Sequence, residues 1–212
     1  MPTSNSPQIA ELNLPGAAAN WAAIGFTIVD DSFVIGQVKC QLRALEPSWG
    51  FAGAESVPTE LDGIKTTQAQ FASTSSAPPQ QPNGAFKIDH VVVISESPSK
   101  TKRELEAFGL VAKGERVFGG GSSRRGGVFF WSGDLLIELV GPADETSREG
   151  SRARIWGVTF AVSDFDRLKA TAGGLLGEPS EAVQPGRQIA TIEASASLGL
   201  AAAFITPHVK AS

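Results

Sequence analysis

Two residues of types that bind metal ions or move protons lie on apolar, strand-like segments of the 212-residue chain. His90 lies in the β-branched run 88–94, and Glu138 lies between leucine, isoleucine and valine side chains in residues 135–140. A carboxylate in such surroundings is costly to bury unless it is protonated, paired or coordinated. Imidazole nitrogen and carboxylate oxygen both bind zinc at about 2.0 to 2.2 Å. The two residues therefore indicate either a divalent metal site or a direct hydrogen bond.

The segment that holds these two residues occurs twice in the chain. A first repeat covers residues 87–142 and a second covers 154–207, and each reads as one strand, one helix and three further strands. Asp164, or Ser163 before it, is a plausible N-cap for the second helix. Aligned by first strand and terminal proline, the second repeat has Gly157 opposite His90 and Ala203 opposite Glu138. The expected fold class is α+β, built from paired βαβββ units.

The chain before the first repeat is harder to interpret. Residues 1–67 suggest a partial unit of the same kind, with a helix at 16–24 and short strands after it but no evident first strand. Residues 68–86 are rich in Ala, Ser, Pro and Gln and indicate a linker or long surface loop.

Composition excludes several classes of protein. A net charge of -4 without a dense Lys/Arg run argues against a nucleic-acid surface, which needs clustered cations. Cys40 is the only cysteine, so no internal disulfide is expected. The chain has no stretch of about 18 apolar residues, so a membrane span is not expected. These features favour a cytoplasmic protein.

The two repeats, together with residues 156–162 (Trp-Gly-Val-Thr-Phe-Ala-Val) and 183–190 (Val-Gln-Pro-Gly-Arg-Gln-Ile-Ala), resemble the vicinal oxygen chelate superfamily. This is the group of glyoxalase I, the dihydroxybiphenyl-type extradiol dioxygenases and the bleomycin-resistance proteins. The resemblance covers residues 87–207 and implies sheets curled around a cleft, with metal ligands on the first and last strands of a unit. It places His90 and Glu138 at two ligand positions for Ni, Zn, Fe or Mn; in a metal-dependent enzyme Glu138 would also be the general base.

The second repeat argues against a complete metal site. Catalytic zinc or nonhaem iron usually has three or more protein ligands, and Gly157 and Ala203 have no side-chain donor. Glu193 and His208 are the remaining candidates, on a different strand and near the chain end respectively. An incomplete metal site is therefore the favoured interpretation.

Small and aromatic residues suggest a ligand pocket instead. Gly157, Thr159 and Ala203, with Phe130 or its neighbours Phe129 and Trp131, would outline a mainly apolar pocket, unless close packing fills the same space.

Three arginines are candidate ligand-binding residues. The pair Arg124-Arg125 would reach an anionic ligand or lie in a solvated hairpin turn. Arg187, after the turn residues 184–186, would point at the cleft mouth or make a surface ion pair.

The favoured function is binding of a small, partly apolar molecule in the sheet cleft. The first alternative is a metal-dependent lyase, isomerase or dioxygenase that uses His90 and Glu138. The second is a structural module, and the resemblance leaves open a homodimer that exchanges units between chains.

Overall fold

The computed structural model describes residues 6–72, 80–120, 124–144 and 150–207. Three α-helices occur in these ranges: α1 (Ala18–Ala23), α2 (Pro98–Ala107) and α3 (Phe165–Ala172). The strands are β1 (Gln8–Asn13), β2 (Ser32–Ile35), β3 (Val38–Gln41), β4 (Ser48–Ala52), β5 (Glu60–Leu61), β6 (Ile64–Gln68), β7 (Ala85–Ile94), β8 (Val111–Phe118), β9 (Arg125–Ser132), β10 (Leu135–Pro142), β11 (Arg154–Val162), β12 (Ser180–Glu181), β13 (Gln188–Thr191) and β14 (Ala201–Ile205). Within these ranges, no helix has the length and apolar character needed to cross a bilayer.

The predicted βαβββ order is confirmed in both repeats. The first repeat is β7-α2-β8-β9-β10, and the second is β11-α3-β12-β13-β14. In each, the first strand pairs in parallel with the last, and the last pairs antiparallel with the third. Asp164 is the N-cap of α3, since its side chain accepts from the backbone N–H groups of Asp166 and Arg167.

The N-terminal segment contains more strands than its sequence suggested. β1 precedes α1, and β5 with β6 forms a short hairpin after β4. β1 was missed because six residues with a half-buried pattern give a weak periodic signal. In the expected linker, residues 73–79 lie outside the described ranges, but Gln81 and Asn83 are buried. Their amides bond to Val34 O and Ile24 O, so this end of the segment is packed.

The chain packs as two compact units, each made of three separate segments. Compact unit 1 is Met1–Leu12, Pro47–Phe71 and His90–Trp156. Compact unit 2 is Asn13–Glu46, Ala72–Asp89 and Gly157–Ser212.

An aromatic cluster forms the core of compact unit 2. Its rings lie 4.2 to 6.2 Å apart between centroids, and every member is at most 3% exposed. The members are Trp21, Phe26, Phe33, Phe160 and Phe204. Aromatic pairs at these distances stabilise a core beyond the burial of their area.

Compact unit 1 has its own core on one face of β7, β9 and β10. The side chains of that face are fully buried: Val91, Val93, Phe130, Ile137 and Leu139. Residues of β4 add to the core of this unit. Trp49 Nε1 donates to Thr66 Oγ1 over 2.8 Å, and Phe51 packs edge-on to Phe108 with ring centroids 5.0 Å apart.

A buried carboxylate ties the β5–β6 hairpin to α2. Asp62 is 4% exposed and accepts from Lys100 Nζ at 2.5 Å and from Thr101 Oγ1. Its backbone N–H donates to Glu104 Oε2, and its carbonyl accepts from Ala153 N. The hydrogen bond to Asp62 raises the pKa of Lys100 above its usual value. Asp62 thus holds the start of α2 and the segment before β11.

We expect Asp62→Ala to lower the free energy of unfolding by about 3 kcal/mol. About 2 kcal/mol comes from the hydrogen bonds lost by Thr101 and Lys100, and about 1 kcal/mol from placing alanine at a φ of +46°. Lys100 is 42% exposed and regains water, which keeps the first figure low. Urea unfolding measures the change.

Asp31→Ala is the matched control for that variant. Asp31 also has a positive φ, +52°, and pairs with Arg43, but both side chains are exposed. Asp31→Ala should lower the free energy of unfolding by about 1 to 2 kcal/mol, mostly because alanine is unfavourable at a positive φ. Equal losses in the two variants would contradict a special role for Asp62.

Candidate functional site

His90 and Glu138 lie on the same face of adjacent parallel strands. His90 is paired with Leu136, and Val92 with Glu138, so the two side chains are diagonal neighbours. His90 Nε2 and Glu138 Oε2 are 4.0 Å apart, with the side chains 16% and 25% exposed. The two residues singled out from the sequence are therefore brought together at the surface of one sheet.

The distance between these two atoms limits their chemistry. At 4.0 Å they are too far apart for a direct hydrogen bond. Two atoms that each lie about 2.1 Å from one ion would be about 3.0 to 3.4 Å apart, so shared coordination needs a side-chain rotation.

The donor set is also too small for a closed metal site. Within the described ranges, no three His, Cys, Asp or Glu side chains are grouped to hold an ion. Glu193 is exposed at the start of a 3-10 turn in compact unit 2, and His208 lies outside the described residues. The described residues therefore do not form a protein-only metal centre.

The face that carries Glu138 is open, in contrast to the fully buried face behind it. We call it the open face, and its side chains are half-buried or exposed: His90, Val92, Ile94, Phe129, Trp131, Leu136, Glu138 and Val140. Trp131 is 50% exposed. An apolar surface with one carboxylate and one imidazole is thus available to a ligand of mixed polarity.

Strand register decides which aromatic residue belongs to the open face. Phe129 is paired with Glu138 and Trp131 with Leu136, whereas Phe130 is paired with Ile137. Phe130 is fully buried on the opposite face. Of the three aromatic candidates, the structure therefore places Phe129 and Trp131, and not Phe130, beside Glu138.

The small residues of the second repeat are packed rather than open. Thr159 is 4% exposed and its partner Ala203 9%. Gly157 is buried, and a Cβ added there would lie 2.8 Å from Ala201 O. These residues are therefore closely packed, which is the alternative interpretation of the sequence.

Neither Arg187 nor Arg124 points at the open face. Arg187 is 2% exposed and donates to Asp89 Oδ1 at 2.5 Å and Thr206 O at 2.6 Å within compact unit 2. Arg124 is exposed and pairs with Asp144 at 3.4 Å. Arg187 has a structural position, and Arg124 lies in a surface ion pair.

Arg125, the second residue of the Arg124-Arg125 pair, does lie on the open face. It is paired with Pro142, four residues beyond Glu138 on β10, so its side chain belongs to the same face. In the sequence, residues 125, 127 and 129 alternate with their neighbours, which puts Arg125 on the same face of the strand as Phe129.

Comparison with known proteins supports the fold and does not assign an activity. No protein-family model matches the sequence. No curated protein is significantly similar to it.

Solved structures do match. The chain is similar over 99% of its length to a xylose isomerase-like TIM barrel/4-hydroxyphenylpyruvate dioxygenase fusion protein, of which it covers 50%, with a TM-score of 0.56 and 13% identity. Methylmalonyl-CoA epimerase from Mycobacterium tuberculosis matches 60% of this chain and 91% of its own, with a TM-score of 0.46 and 18% identity. A hypothetical protein from Bacillus halodurans matches 59% of this chain and 97% of its own, with a TM-score of 0.44 and 19% identity.

The chain therefore has the vicinal oxygen chelate fold. The resemblance recognised in the two βαβββ repeats is confirmed at the level of the fold.

Proposed function

We propose that the protein binds a small, partly apolar molecule on the open face of compact unit 1. The observation that carries the proposal is the contrast between the two faces of β7, β9 and β10. One face is fully buried, while the other leaves Trp131, Phe129 and a row of aliphatic side chains open around Glu138. Apolar residues that cluster on a surface mark binding sites more often than isolated ones do.

The apolar residues provide most of the binding free energy in this proposal. Burial of apolar surface contributes about 25 cal/mol per Å², so covering about 100 Å² across Trp131 and Phe129 is worth about 2.5 kcal/mol. Flat aromatic rings also accept stacked or edge-on rings of a ligand.

His90 and Glu138 provide orientation. A ligand hydroxyl or amide placed between Nε2 and Oε2 would bond to both, since their separation of 4.0 Å leaves room for one bridging group. Sites of this type combine an apolar lining with a few placed polar groups.

Two other functions have less support. A metal-dependent lyase, isomerase or dioxygenase would need the substrate to supply the donors that the described residues lack around His90 and Glu138. A structural or dimerisation module would cover the open face with a second copy of the chain, which would make ligand access depend on protein concentration.

The proposal predicts saturable binding of a neutral apolar probe. N-phenyl-1-naphthylamine, whose fluorescence rises in apolar surroundings, should bind with one site per chain. Phe129→Ala should weaken that binding about tenfold, since one aromatic contact is worth about 1.5 kcal/mol. Fluorescence titration of the folded protein gives both constants.

Phe71→Ala is the control for this experiment. Phe71 is a half-exposed aromatic residue of compact unit 1 that does not belong to the open face, and its replacement should leave the affinity unchanged. Non-saturable uptake, or equal effects of the two variants, would reject the proposed function.

A further inference from the structure

The open face ends at a pocket whose lining is strongly basic. The pocket has a volume of about 690 Å³ and lies in compact unit 1. It begins at the last open-face residues, Ile94 and Val140, and the charged residues that line it within the described ranges are Glu96, Arg125, Arg152 and Arg154. Three guanidinium groups against one carboxylate leave two net positive charges, and we name this space the arginine pocket.

One hydroxyl of the pocket has no hydrogen-bond partner among the described residues. Ser151 Oγ is buried and forms no hydrogen bond with any described residue. Most buried polar atoms are bonded, and an exception calls for a missing partner such as a ligand. A ligand oxygen in the arginine pocket, which Ser151 lines, would accept this hydrogen bond.

The position of Arg152 is fixed on both sides by the network around Asp62. Ser151 O accepts from Lys100 Nζ at 3.3 Å, and Ala153 N donates to Asp62 O at 2.7 Å. The Arg152 side chain packs over Gly63, where an added Cβ would lie 2.7 Å from Arg152 Cβ. The backbone that carries Arg152 is therefore organised before any ligand binds, which lowers the entropic cost of binding.

A second lining residue is held by the same network. Ser95 is buried, and its Oγ accepts from Ser97 N at 3.0 Å and lies 2.8 Å from Thr101 Oγ1, to which it donates. Thr101 in turn donates to Asp62. The pocket thus has a rigid wall beside its exposed arginines.

We propose that the arginine pocket binds the anionic end of the ligand, a phosphate-type dianion, while the ligand's apolar part lies along the open face. Guanidinium groups recognise such oxyanions by paired hydrogen bonds, and two net positive charges match a dianion. Arg125 and Glu138 are four residues apart along β9 and β10, or about 13 Å. The ligand class is therefore an amphipathic phosphate monoester about 13 Å long. This assignment rests on the proposed function, since it names the chemistry of the same ligand.

The test is calorimetric titration of the full chain with inorganic phosphate and with n-octyl phosphate. Inorganic phosphate should bind saturably, and Arg152→Gln or Arg154→Gln should each weaken it about tenfold, the loss expected for one charge-assisted hydrogen bond. Added NaCl should weaken it further. n-Octyl phosphate should bind at least tenfold more tightly than inorganic phosphate because its chain covers apolar surface.

Arg103→Gln is the matched control, because Arg103 is an exposed arginine on α2 that does not line the pocket. It should leave both affinities unchanged. The absence of saturable phosphate binding up to about 10 mM, or an equal loss in Arg103→Gln, would overturn the anion site.

A fourth variant separates this assignment from the proposed function. Phe129→Ala should weaken n-octyl phosphate and leave inorganic phosphate unaffected. If phosphate binds through the arginines but the octyl chain adds nothing, the anion site stands and apolar binding on the open face fails. If the octyl chain adds affinity but Arg152→Gln does not weaken the binding of n-octyl phosphate, apolar binding on the open face stands and the anion site fails.

Discussion

Replacing Arg187 by methionine is expected to lower the free energy of unfolding by about 3 to 5 kcal/mol. The Arg187 side chain is 2% exposed and donates to Asp89 Oδ1, Thr206 O and Gln184 Oε1. Methionine fills similar volume but removes the guanidinium, which leaves the carboxylate of Asp89, 11% exposed, without this cation. Removing one partner of a buried ion pair strongly destabilises the folded protein, because the other charge stays buried without it. Urea-induced unfolding followed by circular dichroism measures the loss.

Arg167→Met is the control for Arg187→Met. Arg167, also in compact unit 2, is exposed and donates to the carbonyl oxygens of Pro82 and Gln81, and no carboxylate of the described residues pairs with it. Its loss should stay below about 1.5 kcal/mol. The double variant Arg187→Met/Asp89→Leu should recover part of the stability, because no unpaired charge remains. If the single and double variants were equally unstable, the ion pair would not be the cause.

The contacts of Arg187 could not be predicted from the sequence. The turn residues 184–186 before it left two alternatives, a position at a cleft mouth or a surface ion pair. Its partner Asp89 is 98 residues away in the chain, so no local pattern indicates their contact. Long-range ion pairs of this kind follow from the packing of elements, which spacing along one strand does not encode.

The strands themselves were predictable because alternation is a local property. Residues 88–94 and 135–140 form parts of β7 and β10, and His90 and Glu138 do share a face. What alternation leaves open is which of two faces becomes covered. Phe130 and Phe129 are equally good candidates by type, and only the packing in compact unit 1 shows that Phe130 is the buried one.

Features that depend on backbone and loop contacts could not be predicted from the sequence. The two-residue strand β5 and the positive φ of Asp62 give no periodic signal, yet they organise the segment that carries Arg152. The arginine pocket likewise joins residues from four separate parts of the chain, near 95, 125, 141 and 152. The fold class could be derived from repeated local patterns, whereas the pocket depends on contacts between distant segments.

Phe160→Ala is expected to cost about 3 to 5 kcal/mol of unfolding free energy, as for other fully buried phenylalanines. Phe160 is 0% exposed and has four aromatic neighbours, with ring centroids 4.9 Å away at Phe26 and 5.6 Å at Phe204. Trp21 and Phe33 complete the contacts at 6.2 Å. Truncation would leave a cavity among rigid rings that relax poorly. Thermal and urea unfolding both report the loss.

Phe129→Ala completes the argument as a matched change of the same residue type. Phe129 is half-buried on the open face, so its removal leaves a recess open to water rather than a closed cavity, and should cost below about 1.5 kcal/mol. The same variant should lose about tenfold in affinity for the apolar probe, whereas Phe160→Leu, which stays folded, should keep that affinity. A Phe129→Ala loss of stability as large as that of Phe160→Ala would show that the open face is part of the core, and would remove the surface on which ligand binding is proposed.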